Sequence, residues 1–139
     1  FKSNEDFEKY YRFGFVRNPY DWQVSMYEYM KYNEKHFQHK IIKDMCFKEY
    51  LLWRKVNRSK LQKDFFYTDD FKLVNDIFKI EELSNAVSII EKRLQINLNI
   101  PIINKSKRDK YYINYYDNDD FNLVYDLYKD DFITFKYDK

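Results

Sequence analysis

Residues 13–27 read FGFVRNPYDWQVSMY, and this stretch decides the fold prediction. Its first part belongs to the run YRFGFV at residues 11–16, which is short, aromatic and apolar and is typical of a buried strand. Arg-Asn-Pro ends the strand. Proline suits the first helical turn because its ring fixes φ near the helical value and the N–H that it lacks would have no partner there. We therefore predict that Asn18 caps a helix that begins at Pro19 and runs to about Tyr32.

The rest of the chain predicts three more helices and a hairpin. Apolar residues recur at helical spacing in residues 47–56, 81–96 and 115–132. The stripe of the second of these helices consists of Leu83, Val87, Ile90 and Leu94, and that of the last of Phe121, Val124, Tyr125 and Tyr128. Residues 65–80, FFYTDDFKLVNDIFKI, are rich in β-forming residues around a TDD turn and predict a hairpin that ends near Ile80. Residues 33–42 and 97–110 are interpreted as a polar connector and a loop.

Length and composition limit the classes of protein. We expect one domain over residues 1–139, with enough apolar mass for a core, since 45% of the residues are hydrophobic and 22% aromatic. A net charge of +2 argues against a general nucleic-acid binder. No apolar run reaches the roughly 18 residues that a membrane span needs. The start, FKSNEDFEKYY, lacks the regions of a signal peptide and an initiator Met.

Cys46 is the only cysteine, so the sequence offers no intrachain disulfide and no Cys-rich metal site. We expect no metal cofactor. This composition fits a reducing compartment, and the cytoplasm is the best guess for the location.

Arg17 follows the first strand directly, where open α/β sheets bind ligands beyond the carboxyl ends of their strands. The planar fork of an arginine holds phosphate or sulfate oxygens in pairs. Ser25 lies eight residues further on, about two helical turns along, and its hydroxyl offers a second donor to the same anion. The alternative is that Arg17 caps the sheet edge or pairs with Asp21.

Three stretches together resemble the sulfotransferases that use PAPS, the activated sulfate donor, and in particular the carbohydrate sulfotransferases. Residues 13–27 resemble their 3′-phosphate motif, an aromatic strand followed by Arg-Asn-Pro and a Ser eight residues after the Arg. Residues 74–96 resemble the strand and helix that the family often writes with Arg-Phe-Glu-Asn-Leu. Residues 100–137 resemble its C-terminal end, with an Asn-Lys-Ser loop and Tyr-Tyr-Asp.

The resemblance implies an α/β fold, with a parallel sheet flanked by helices and similar to the P-loop kinases. It implies that Arg17 and Ser25 hold the 3′-phosphate of PAPS. It also implies that the basic loop of Lys105, Ser106, Lys107 and Arg108 closes over the nucleotide, the alternative being a solvated charge run. The activity would be transfer of a sulfuryl group to a hydroxyl, on a carbohydrate or another acceptor.

The chain departs from the family pattern in three places. Trp22 stands where the family often has Arg, and the Arg-Phe-Glu triplet reads Lys79, Ile80 and Glu81. Nothing before Tyr10 matches the strand and lysine-bearing loop that binds the 5′-phosphosulfate. A lysine and backbone N–H groups normally stabilise the charge that develops on the leaving oxygen. We therefore expect an incomplete fold with exposed sheet edge and apolar surface, and slow transfer by this chain alone.

The acceptor hydroxyl needs a general base, and His36 and His39, in KHFQHK, are the candidates. Two surface histidines in a polar connector are the alternative, and a metal site would need further ligands. Glu49 and Glu81 are also possible bases.

Other functions remain open on the sequence. A remnant of the fold that binds nucleotide or protein without catalysis is the main alternative, and a plain helical interaction domain is another. Nucleic-acid binding through residues 105–110 is not expected, because of the small net charge.

Overall fold

The computed structural model describes residues 9–57, 60–69, 71–100 and 111–139. These residues form two compact units. The strand unit comprises the described parts of residues 9–17 and 62–99, and the helical unit comprises those of residues 18–61 and 100–139. The expectation of one domain over residues 1–139 stays a prediction. No helix among the described residues is long and apolar enough to cross a membrane.

The chain contains four short strands and five helices within the described residues. The strands are β1 (Phe13–Val16), β2 (Tyr67–Thr68), β3 (Phe71–Lys72) and β4 (Asp76–Lys79). The helices are α1 (Pro19–Tyr32), α2 (His39–Ile42), α3 (Phe47–Val56), α4 (Leu83–Leu94) and α5 (Asn118–Phe135). Single turns of 3₁₀ helix span Lys63–Phe65, Ile80–Glu82 and Tyr112–Tyr115.

Strands β1 and β4 pair in parallel, with Phe13 opposite Asp76 and Val16 opposite Lys79. A parallel pair joined through intervening helices is the pattern of an α/β protein, so the predicted fold class is confirmed at that level. The finer prediction, a sheet similar to that of the P-loop kinases, stays a prediction.

The predicted hairpin is only partly correct. Strands β2 and β3 do pair in antiparallel fashion, but the hairpin ends at Lys72. The segment beyond it forms a separate strand, β4, because Asn75 ties it to β1. The side chain of Asn75 accepts the Arg12 N–H at 2.8 Å, and its own N–H donates to the Arg12 carbonyl at 2.8 Å. These bonds align β4 with β1 instead of with the hairpin.

The only glycine of the sequence, Gly14, lies in β1 against the ring of Phe66. A Cβ atom at position 14 would overlap the edge of that ring. The glycine is therefore explained by a close approach of side chain to backbone rather than by an unusual φ.

Helix α1 begins and ends where the sequence predicts. The Asn18 side chain accepts the Tyr20 N–H at 2.9 Å, which satisfies one of the free donors of the first turn, and Pro19 occupies that turn. Helices α1, α3 and α5 supply most of the core of the helical unit. Its buried members are Tyr20, Val24, Tyr27, Met30, Ile42, Phe47, Tyr50, Leu51, Val124, Tyr128 and Phe132.

Two local predictions need correction. The polar connector of residues 33–42 contains the one-turn helix α2, because Ile42 is fully buried in the helical core and its N–H bonds the Gln38 carbonyl. In α4 the most buried residues are Ala86 and Ile90, whereas Leu94 is 40% exposed. Of the predicted stripe, Ile90 is buried, Leu83 and Val87 are half-buried, and Leu94 is exposed, while the buried face also includes Ala86.

Candidate functional site

Arg17 lies at the carboxyl end of the parallel pair, as predicted. It follows the last residue of β1, Val16, and the register places Val16 opposite Lys79, the last residue of β4. Both strands therefore present a basic residue at the same edge of the sheet. That edge is where α/β proteins bind anionic ligands.

The main chain of Arg17 is held by the side chain of Gln62. The Arg17 N–H donates to Gln62 Oε1 at 2.9 Å, and Gln62 Nε2 donates to the Arg17 carbonyl at 2.8 Å. Gln62 is itself buried, with 7% of its surface exposed. The backbone from which the Arg17 side chain projects is thus fixed by two hydrogen bonds that no strand provides.

The sequence did not reveal Gln62 as the partner of the Arg17 main chain. It lies in NRSKLQKD, which carries no helix or strand pattern. A single glutamine in such a segment gives no sequence signal, because its role depends on a partner 45 residues away.

Ser25 lies on α1 and is half-buried, beside the buried Val24. Arg17 belongs to the strand unit and Ser25 to the helical unit. Their joint action on one phosphate stays a prediction. The other predicted donors, Lys105, Ser106, Lys107 and Arg108, lie outside the described residues.

The two histidines differ in the hydrogen bonds of their rings. His39 Nδ1 lies 3.1 Å from the Met30 carbonyl oxygen, which can only accept, so Nδ1 carries the proton. In the neutral ring His39 Nε2 then has the free lone pair that a general base needs. His36 Nδ1 instead accepts the Gln38 N–H at 3.1 Å, which places the proton of the neutral ring on Nε2.

His36 is also packed between aromatic rings. Its ring stacks on Phe37 with centroids 4.6 Å apart and meets Tyr29 edge-on at 5.3 Å. Of the two histidines, His39 has the tautomer suited to accept a proton from a hydroxyl. Neither assignment as a catalytic residue is tested by these contacts.

The two glutamates considered as bases have different surroundings. Glu49 closes the N-terminus of α3, where its Oε2 accepts the Cys46 N–H at 2.7 Å. That hydrogen bond lowers the pKa of Glu49, which makes its carboxylate a weaker base. Glu81 is exposed in the 3₁₀ turn before α4.

Among the described residues, no group of three or more His, Cys, Asp or Glu side chains is arranged to hold a metal ion. No protein-family model, curated protein or solved structure matches this chain.

Proposed function

We propose that this chain is a sulfotransferase domain that moves a sulfuryl group from PAPS to a hydroxyl of a carbohydrate. The observation that carries the proposal is the position of Arg17 at the carboxyl end of β1, next to β4 in a parallel pair. A 3′-phosphate at that edge would meet a guanidinium whose backbone is fixed by Gln62. The motif resemblance of residues 13–27 supplies the identity of the donor.

In the proposed reaction the acceptor hydroxyl oxygen attacks the sulfur of PAPS in line with the leaving phosphate oxygen. The new O–S bond forms as the bond from sulfur to the bridging oxygen breaks, and adenosine 3′,5′-bisphosphate leaves. The hydroxyl proton passes to a base, for which His39 Nε2 is the best candidate. The finer fold assignment, a sheet similar to that of the P-loop kinases, belongs to the same proposal.

Isothermal titration with adenosine 3′,5′-bisphosphate tests the donor site. We expect wild-type binding, and loss of about tenfold to a hundredfold in affinity in Arg17→Ala, since one charge-assisted bidentate contact contributes about 1.5–3 kcal/mol. Arg93→Ala is the matched control. Arg93 belongs to the same unit but pairs with Asp76, at the amino end of β4 and thus at the opposite end of the strand pair.

Transfer itself is tested with radiolabelled PAPS and a panel of glycans. Labelled glycan that disappears in Arg17→Ala would support the enzyme. No binding of the bisphosphate at millimolar concentration would overturn the proposal and favour a helical interaction domain.

A second candidate is a nucleotide-binding or protein-interaction module that keeps the fold without the transfer. The departures from the family pattern favour it, since Lys79 and Ile80 stand where the family has the Arg and Phe of its Arg-Phe-Glu triplet. Binding of the bisphosphate without labelled product on any glycan would select this candidate.

A further inference from the structure

Helix α3 carries a buried arginine with unpaired donors. Arg54 is only 4% exposed, and its Nε and Nη2 atoms are buried without a hydrogen-bond partner. An arginine guanidinium carries its positive charge even when it is buried in a protein. A buried charge without a counter-charge is strongly unfavourable, and native proteins pair such groups.

The aromatic rings beside Arg54 do not satisfy its buried hydrogen-bond donors. Its guanidinium carbon lies 5.9 Å from the centroids of both the Tyr50 and Trp53 rings, which gives two weak cation–π contacts. These rings leave the Nε and Nη2 hydrogens unbonded. The Tyr50 hydroxyl donates to Gln23 Oε1 and accepts from neither Nε nor Nη2 of Arg54.

Gln23, on α1, is a second buried donor next to the same tyrosine. It is fully buried, and its Oε1 accepts the Tyr50 hydroxyl at 3.0 Å. Its Nε2, like two nitrogens of Arg54, has no hydrogen-bond partner. Gln23 on α1 and Arg54 on α3 therefore both contact Tyr50, and both carry buried nitrogen donors without a hydrogen-bond partner.

The buried carboxylates of the helical unit do not compensate this charge. Among the described residues, none lies within ion-pair distance of Arg54. Glu28 accepts the Tyr115 hydroxyl at 3.1 Å, and Asp120 belongs to the N-terminal cap of α5. Asp131, buried on α5, takes part in an interaction of its own.

We propose that Arg54 and Gln23 bind an oxyanion group, a carboxylate, sulfate or phosphate, in the helical unit. Such a group offers the paired oxygens that the planar fork of Arg54 matches and a further acceptor for Gln23 Nε2. The proposal is independent of the PAPS site, because it uses neither Arg17 nor Ser25. Within the described residues of α1 and α3, three side-chain donor atoms are buried and unbonded, namely Gln23 Nε2, Arg54 Nε and Arg54 Nη2. The proposal gives all three an acceptor.

Thermal unfolding with inorganic sulfate, inorganic phosphate and acetate tests the site, each compared with chloride at equal ionic strength. We expect at least one probe to raise the wild-type Tm by about 5–10 °C at about 100 times its Kd. Arg54→Met, which keeps the length of the side chain without the charge, should show no such rise. Its Tm in chloride should equal or exceed that of the wild type, because an unpaired buried charge has been removed.

A second variant keeps the test independent of the first. Gln23→Glu replaces one of the three unbonded donors with a carboxylate oxygen that repels an oxyanion, so we expect loss of the response to the probes. Glucuronate, compared with acetate, distinguishes the source of the oxyanion. Tighter binding of glucuronate than of acetate would indicate that the oxyanion belongs to a sugar acid. Equal binding would indicate a small free ion, and both results support the site.

Two outcomes would overturn the proposal. The first is a wild-type Tm that is the same in every probe as in chloride. The second is an equal rise in the wild type and in Arg54→Met, which would reveal a general salt effect. Either result would leave the Arg54 donors to buried water.

Discussion

The side-chain amide of Gln62 hydrogen-bonds both main-chain polar atoms of Arg17, at 2.9 Å and 2.8 Å. Directly after β1, the amide makes two main-chain hydrogen bonds of the kind that a neighbouring strand would make. It therefore links the stability of the strand unit to the position of the arginine on which the proposed donor site depends.

We expect Gln62→Leu to reduce the free energy of unfolding by about 1–3 kcal/mol, because it leaves two main-chain groups without partners. Urea unfolding measures this loss. Gln62→Glu keeps the acceptor for the Arg17 N–H but sets a buried carboxylate oxygen against the Arg17 carbonyl oxygen, so its loss should be at least as large. Equal stability of wild type and Gln62→Leu would show that water replaces the amide at no cost.

The contact of Gly14 with Phe66 predicts a coupled pair. Gly14→Ala should destabilise the protein by about 1–3 kcal/mol, because the new methyl group overlaps the Phe66 ring. Phe66→Leu in the Gly14→Ala background should recover part of that loss. A double-mutant cycle by urea unfolding gives the coupling energy, and additive effects of the two substitutions would contradict the contact.

The cap of α5 predicts a dependence of stability on pH. Asp117 Oδ2 lies 2.8 Å from Lys48 Nζ, and Oδ1 accepts the Asp120 N–H at 2.8 Å. The Lys48 hydrogen bond, with that N–H, lowers the pKa of Asp117 below its ordinary value of 3.8. This stabilisation is present above the unfolded pKa and is lost as the pH falls through the folded one.

We expect Tm to fall less steeply with acidification below about pH 4 in Asp117→Asn than in the wild type. Asparagine keeps the cap and removes the charge. Asp120 contributes a pH dependence of stability of the opposite sign, because burial raises its pKa. Asp44→Asn, at a side chain 86% exposed, should keep the wild-type slope, and identical slopes for Asp117→Asn and wild type would argue against the pairing with Lys48.

The core tyrosines predict alkaline unfolding. Burial raises the pKa of Tyr20 to about 12 and also raises the pKa of Tyr50 and Tyr116. Their contribution to stability is complete below the ordinary value of 10.0 and is lost as the pH rises through the folded values. Tyrosinate absorbance should therefore show a late phase that coincides with loss of helical circular dichroism.

Tyr116→Phe should reduce that late phase by one tyrosine. It should also lower stability by about 1 kcal/mol, because the Tyr116 hydroxyl donates to the Tyr20 carbonyl at 2.7 Å. Tyr32→Phe, at a side chain 70% exposed, should leave the late phase unchanged. A single phase containing all 15 tyrosines, without unfolding, would contradict the buried positions.

If the proposed transfer is correct, the two histidines should differ. His39→Asn keeps a donor for the Met30 carbonyl and removes Nε2, so we expect the transfer rate to fall by about 10²–10⁴-fold with unchanged affinity for the bisphosphate. His36→Asn, which keeps an acceptor for the Gln38 N–H, should have the smaller effect. Equal rates for His39→Asn and wild type would remove His39 as the base.

The sequence by itself determined the ends of α1 and α3, whereas the helix predicted over residues 115–132 spans Asn118–Phe135. Helix α1 begins at the Asn18-Pro19 pair and α3 spans the predicted residues 47–56. These boundaries follow from the φ of proline, the short reach of a capping side chain and the spacing of apolar residues. All three act between residues within one or two turns, so they can be recognised in the sequence.

Only the tertiary structure decided that β4 leaves the hairpin and pairs with β1, that Gln62 holds Arg17, and that Arg54 is buried without an acceptor. The helical spacing places Arg54 on one face with Phe47, Tyr50 and Leu51, but it does not say whether an acceptor meets the guanidinium. Gln62 and Asn75 look like ordinary loop residues. Each of these features depends on a partner that is distant along the chain, and a local pattern of residue types carries no information about which distant groups will meet when the core closes.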